Sequence, residues 1–193
     1  MSEALLNRRA AMAALVAGRG DLLIVPGLGS TTWDLAAAGD DDRNFYLWGA
    51  MGGAAMIGLG LALAQPQRRV AVITGDGEML MGLGSLATIG IQRPPNLAVI
   101  VFDNGVYGET GMQPSHTQGG VDLVAVAAGC GFGTCLDVRD EAALHDLAQR
   151  LNAFTETFFA RVLIAPEDPP RVLPLRDGVA LKERFRAALG VKA

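Results

Sequence analysis

Short, largely apolar runs alternate along this chain with longer stretches in which apolar positions recur every three or four residues. The short runs, Leu22–Val25, Phe45–Trp48, Val70–Thr74, Leu97–Phe102, Thr134–Val138 and Arg161–Ala165, have the length and β-branched content of strands. The longer stretches predict helices over Glu3–Ala17, Trp33–Ala38, Gly49–Ala64, Glu78–Ile91, Val121–Ala128, Glu141–Asn152 and Val179–Leu189. Strands apolar at consecutive positions are covered on both faces, and strands separated by helices run parallel. The expected fold is therefore α/β, a three-layer sandwich with a mostly parallel central sheet and helices on both faces. No repeat or domain boundary interrupts the pattern, so residues 1–193 read as a single domain. The run Pro26-Gly27-Leu28-Gly29-Ser30-Thr31-Thr32 is a turn whose hydroxyls can cap the helix after it. Gly39–Asn44 and Asp103–Gly120 are loops, and Pro166–Arg176 is expected to wrap back over the domain as an extended segment.

Composition narrows the class. Of 193 residues, 50% are hydrophobic and 19% charged, enough for a real core and too apolar for disorder. A net charge of -4 gives no basic footprint for nucleic acid. Arg8 and Arg9 break the first helix's apolar face, so it does not read as a signal peptide. The apolar run Gly49–Ala64 is shorter than the roughly 20 residues a membrane span needs and reads as a buried helix. Cys130 and Cys135 have neither zinc spacing nor the number for a disulfide framework, and are expected to be buried, inert thiols in a reduced, cytoplasmic protein. The acidic run Asp40-Asp41-Asp42 is expected to be a solvated turn.

The chemistry concentrates at two strand ends. Gly75-Asp76-Gly77 closes the strand Val70–Thr74, and Asp103-Asn104-Gly105 closes Leu97–Phe102. Neighbouring parallel strands would deliver both oxygen ligands to one sheet edge, where such sheets bind ligands. Glycines beside a helix start let main-chain amides approach an anion. A carboxylate and an amide oxygen suit Mg2+, which completes its shell with phosphate oxygens and water.

Gly75-Asp76-Gly77-x26-Asn104, together with Trp48-Gly49-Ala50-Met51-Gly52, resembles the thiamine-diphosphate-dependent decarboxylase superfamily, in its diphosphate-binding domain. The resemblance implies thiamine diphosphate and Mg2+ as cofactors. It implies Asp76, Asn104 and the Val106 carbonyl as metal ligands, and Gly75 with the Gly77 and Glu78 amides at the diphosphate. Gly49, Ala50, Met51 and Tyr107 would complete the cofactor set, Gly49 at the aminopyrimidine and Met51 as an apolar wedge. Where that family often has Asn-Asn, this chain has Asp103-Asn104, and the ligand position is retained.

The loop run Thr110-Gly111-Met112-Gln113-Pro114 narrows the resemblance to the sulfopyruvate and phosphonopyruvate decarboxylase group. That group implies decarboxylation of a small anionic 2-oxo acid, foremost sulfopyruvate to sulfoacetaldehyde and CO2. Thr110, Gln113 and Ser115 are then candidates for the substrate, and His116 for the catalytic proton shuttle, since its unperturbed pKa is about 6.5. The family's larger members carry a pyrimidine-binding domain with an activating glutamate. This chain has no such half, so the resemblance implies a separate α subunit and a hetero-oligomer of at least α2β2. Carboligation in the manner of acetolactate synthase, and a non-catalytic cofactor-binding module, stay open as alternatives. A dinucleotide site lacks its Gly-x-Gly-x-x-Gly fingerprint.

Overall fold

The computed structural model describes residues 5–191. Five strands, β1 (Leu23–Pro26), β2 (Val70–Gly75), β3 (Leu97–Asp103), β6 (Thr134–Val138) and β7 (Phe158–Leu163), form one wholly parallel sheet in the order β1-β2-β3-β7-β6. A two-stranded ribbon, β4 (Val106–Tyr107) and β5 (Gln113–Pro114), lies within the long loop after β3. Eight helices are present among the described residues: α1 (Arg8–Val16), α2 (Ser30–Ala38), α3 (Ala54–Ala64), α4 (Asp76–Met81), α5 (Gly84–Gln92), α6 (Leu123–Gly129), α7 (Glu141–Leu151) and α8 (Gly178–Ala188).

Successive strand residues point to opposite faces, and both faces are dry. Ile24, Ala71, Ile73, Ala98 and Ile100 pack with α1, α2 and α7. Leu23, Val25, Val70, Val72, Leu97 and Val99 pack with α3, α5 and α6. The sheet is thus the middle of three layers, as the unbroken apolar strands require.

The structure departs from the sequence reading at element edges. Of the helix expected over Glu3–Ala17, residues 3 and 4 lie outside the described residues. Leu6 is extended and pairs in parallel with Ile164, so the helix begins only at Arg8, where Asn7 caps it. Phe45–Trp48 forms no strand. Asn44 makes a single bridge to Ile24 before Tyr46 and Trp48 turn to partners elsewhere. The expected helix Glu78–Ile91 is two helices, broken where the Gly82 backbone packs against Gly52. The α2 hydroxyls do not cap it. Gly29 holds the N-cap position, and Thr31 and Thr32 donate instead to the Gly27 carbonyl at 2.9 and 2.8 Å. Cys130 and Cys135 are free thiols, half-buried rather than buried.

Residues 166–176 wrap back as expected. Trp48 Nε1 donates to the Leu175 carbonyl at 3.1 Å, and the Arg171 guanidinium stacks 4.3 Å over the Trp33 ring. The acidic turn is held by the last helix, with Arg184 Nη1 2.7 Å from Asp40. No helix among the described residues is long and apolar enough to cross a membrane. At the far edge, the Asp140 carboxylate caps α7 by accepting from Ala143 N at 2.8 Å. Asp140→Ala is expected to cost about 1 kcal/mol, read as a lower urea midpoint with an unchanged slope.

Candidate functional site

The β2 and β3 carboxyl ends lie side by side, Gly75 opposite Phe102, because the two strands pair in register from Val70 and Leu97 onward. Asp76 and Asn104 therefore leave adjacent strands at the same level. Both line a cleft of about 370 Å3, which also takes in Met51, Gly75, Gly77, Glu78, Val106, Tyr107, Thr110 and Gln113.

Asp76 is 2% exposed. Ser115 Oγ donates to its Oδ2, and Thr117 Oγ1 does so at 3.3 Å, while Oδ1 accepts from neither hydroxyl. Thr117 Oγ1 is closer to Asp103 Oδ1, at 2.8 Å, so its single proton lies between the two carboxylates and favours Asp103. Burial pushes the Asp76 carboxyl up to about 6, the nearby Asp103 charge adds to the rise, and the Ser115 and Thr117 hydroxyls oppose it. A buried carboxylate next to a second one is a place where a cation is welcome. Asn104 Oδ1 accepts from Val106 N at 3.0 Å, which folds the loop back and brings Val106 into the lining. A carbonyl oxygen has two lone pairs, so that bond leaves one for a ligand.

Gly77 has no room for a side chain, since a Cβ there would stand 2.5 Å from the Tyr107 ring. Tyr107 thus packs on the first turn of α4. Met51, which also lines the cleft, is 43% exposed. The turn that carries it depends on left-handed backbone at Ala50 (φ 62°) and Gly52 (φ 89°). Gly49 and Ala50 are exposed on the same turn and are not part of the cleft lining.

Other candidates fall differently. Thr110 Oγ1 and Gln113 Oε1 bond to each other at 2.8 Å, and Gln113 Nε2 donates to the Thr110 carbonyl, so both side chains brace their own turn at the cleft edge. Ser115 is buried against Asp76 rather than facing the open cleft. His116 is exposed at the outer side of the loop, away from the lining.

A family model described as the C-terminal TPP binding domain of thiamine pyrophosphate enzymes matches residues 36–162. The chain belongs to the thiamine pyrophosphate enzymes. It is 46% identical over 112 residues to the sulfopyruvate decarboxylase subunit beta of Methanocaldococcus jannaschii, covering 58% of this chain and 59% of that one. Against the subunit beta of the same name from Methanothermobacter thermautotrophicus it is 38% identical over 168 residues, 86% of this chain and 85% of that one. The phosphonopyruvate decarboxylase of Streptomyces viridochromogenes is 49% identical over 112 residues, 58% of this chain but 28% of its own length. This chain thus spans about three fifths of the first relative and under a third of the Streptomyces protein. In fold it is similar to benzoylformate decarboxylase from Polynucleobacter necessarius, with a TM-score of 0.70, 20% identity, and coverage of 86% of this chain and 34% of that one.

Within this thiamine pyrophosphate enzyme the matched segment spans Asp76, Asn104 and the turn carrying Met51. The donor set fits the cofactor. Among the described residues no group of three or more His, Cys, Asp or Glu side chains could hold a metal alone. One carboxylate and one amide, with the Val106 carbonyl if it turns to the cleft, would make an incomplete shell, which suits a cation that arrives with phosphate oxygens.

Sequence reasoning missed three features. Thr117 bridges Asp76 and Asp103. Arg8, 2% exposed, lines the cleft with Asp34, which it meets at 2.8 Å. The Glu78 side chain is buried inside the site. Only the last had a readable signal: Glu78 is the sole charge between Asp76 and Arg93.

Proposed function

We propose that this chain, as one diphosphate-binding domain over residues 1–193, is the β subunit of a Mg2+- and thiamine-diphosphate-dependent 2-oxo acid decarboxylase. Sulfopyruvate is the favoured substrate, giving sulfoacetaldehyde and CO2. The observation that carries the proposal is the convergence of Asp76, Asn104 and Val106 on one cleft at two adjacent strand ends. In this reading Asp76 and Asn104 hold Mg2+ through side-chain oxygens and Val106 through its carbonyl. Gly75 and the Gly77 and Glu78 amides face the diphosphate, and Gly49, Ala50, Met51 and Tyr107 shape the rest of the cofactor site. When bound, thiamine diphosphate supplies the electron sink that lets a 2-oxo acid lose CO2. The protein's share is to orient it and to keep the cleft dry. The loop carrying Thr110, Gln113, Ser115 and His116 is the part of this chain nearest to where substrate would enter. Ser115 acts by fixing Asp76.

The subunit names of two relatives support a separate partner, here an α subunit with the pyrimidine-binding half in an assembly of at least α2β2. So does the surface on that side. Trp48, Met51 and Met81 are exposed around the cleft, and the outer positions of α3 include Met56 and Leu63, in a run without charge from Asn44 to Gln67. Two free thiols suit a reduced, cytoplasmic setting.

The test is a panel of 2-oxo acids given to the chain assembled with its partner, with aldehyde and CO2 measured. Sulfopyruvate is expected to give the highest kcat/KM. Phosphonopyruvate is the second reading, favoured by the Streptomyces relative's higher identity. Carbon–carbon bond formation without free aldehyde would overturn both, and turnover by this chain alone would remove the need for a partner.

A further inference from the structure

Glu78 is 4% exposed and has no cationic partner among the described residues. Its carboxylate instead collects hydrogen bonds, three of them at 3.3 Å or less, and the Gly52 main chain also favours its charged form. Thr74 Oγ1 donates to Oε2 at 2.9 Å from the end of β2. Leu28 N donates to the same oxygen at 3.1 Å from the β1–α2 loop. Ala54 N donates to Oε1 at 3.3 Å from the first residue of α3. The three donors belong to three segments that meet at the cleft, and two of them are main-chain amides. Buried amides that lose their acceptor are costly, so each segment is held where Glu78 can reach it.

The neighbouring glycine fits this role. A Cβ at Gly27 would lie 2.0 Å from Glu78 Oε2 and 2.6 Å from Thr74 Oγ1. The β1–α2 loop comes close enough to bond the carboxylate only because residue 27 has no side chain. Met51 stands on the turn that leads into Ala54, and both Met51 and Leu28 line the cleft. One side chain therefore ties both of these lining segments to the β2–α4 junction.

We propose that Glu78 is a positioning residue, whose side chain latches the β1–α2 loop and the turn 48–53 onto the β2–α4 junction. The latch preforms the cleft before a ligand arrives. What the cleft receives rests on the function proposed above, with the diphosphate at Asp76 and Gly77 and the aminopyrimidine end at Gly49 and Met51. In that reading the metal and diphosphate end is built from Gly75, Asp76, Gly77, Asn104 and Val106, none of which lies on the β1–α2 loop or the turn 48–53. The other end needs the turn at its correct distance, and that distance is set by Glu78. Loss of the latch uncouples the two ends rather than emptying the site.

Glu78→Gln keeps the shape but replaces one acceptor oxygen with a donor group. Residue-resolved amide exchange of the ligand-free chain is expected to quicken at least tenfold at whichever of Leu28 and Ala54 faces the new amide group, since each bonds a different carboxylate oxygen. Core amides at Val72 and Ile100 should stay within twofold. Glu78→Ala, which removes both acceptors, must quicken both Leu28 and Ala54. In the chain assembled with its partner, Glu78→Gln should bind thiamine diphosphate with Mg2+ about 10–100-fold more weakly, the factor for a lost hydrogen bond to a charged group. Inorganic pyrophosphate with Mg2+ should bind as before or tighter, because a negative charge beside the anion has gone. A merely loosened site would weaken both ligands together. Unchanged exchange at Leu28 and Ala54 in both variants, a uniform rise across all amides, or a parallel loss of pyrophosphate affinity would overturn the proposal. Failure of the wild-type assembly to bind thiamine diphosphate would instead count against the proposed function, and the exchange pattern would still decide the role of Glu78.

Discussion

Asp76→Asn and Asp76→Ala are expected to abolish Mg2+-dependent binding of thiamine diphosphate, and the Asn variant is expected to unfold no more easily than the wild-type apo chain. The two halves of that result have one cause. Asp76 is buried and sits near Asp103, and its carboxyl is pushed up to about 6 from an ordinary 3.8. Its ionised form is therefore penalised in the fold. Below the ordinary value the group is protonated in folded and unfolded chains alike, and the penalty is absent. As pH rises from about 4 to about 6, the unfolded chain releases its proton first and the fold loses stability, by about 3 kcal/mol across the window. Above that window the full cost is present in the apo protein. A bound cation offsets it, which is how a destabilising carboxylate becomes a strong ligand.

Urea unfolding at pH 4.5 and pH 7 checks the sign. The wild-type apo chain should lose stability between the two, and Asp76→Asn should lack this part of the loss. Thiamine diphosphate with Mg2+ should then raise the wild-type midpoint in proportion to the logarithm of ligand concentration, and leave the variants unmoved. Wild-type affinity in an Asp76 variant, measured by calorimetry on the assembled protein, would remove Asp76 from the metal site.

The sheet was legible because its signal is local and redundant. Val70–Thr74 and Leu97–Phe102 are apolar at every consecutive position except the terminal Thr74, and only a strand covered on both faces accounts for that. The metal pair was legible for a related reason: each residue follows its strand directly, so strand pairing alone brings Asp76 and Asn104 together. What stayed hidden depends on contacts between distant segments. Leu6 reads as the start of a helix, yet it pairs with Ile164, a partner no local pattern reveals. Ser115 and Gln113 look alike as polar loop residues, but the β4–β5 ribbon turns one inward to Asp76 and leaves the other at the edge. His116 follows from the same geometry, since the chain leaves the ribbon after Pro114 and turns at residues 116–120, where His116 is exposed. The broken helix at residue 82 is a third case. The apolar pattern runs on past Met81, but Gly82 caps the first helix, and the close approach of its backbone to Gly52 is a contact no local pattern reveals.

That contact yields the second large effect. Gly82→Ala is expected to cost about 3 kcal/mol and to weaken cofactor binding beyond that loss. A Cβ at residue 82 would stand 2.3 Å from the Gly52 carbonyl oxygen and 2.9 Å from both its carbonyl carbon and its Cα. All three atoms are main chain, so no side chain can rotate away. The conformation is not the obstacle, because Gly82 has an ordinary negative φ of -108°. Gly52 cannot give way easily either, since its φ of 89° fixes the turn that carries Met51. Either that turn lifts from the α4–α5 junction or the junction moves, and both alter the spacing across the cleft. Gly84→Ala supplies the contrast. It lies two residues further on, in the first turn of α5, with nothing within 4 Å of its Cβ position. There the smaller freedom of the unfolded chain should leave stability unchanged or raise it by about 0.5 kcal/mol. Parallel urea titrations decide the matter. A Gly82→Ala midpoint equal to that of Gly84→Ala would mean the two backbones can separate without cost, and the crossing at Gly52 would then have no part in shaping the site.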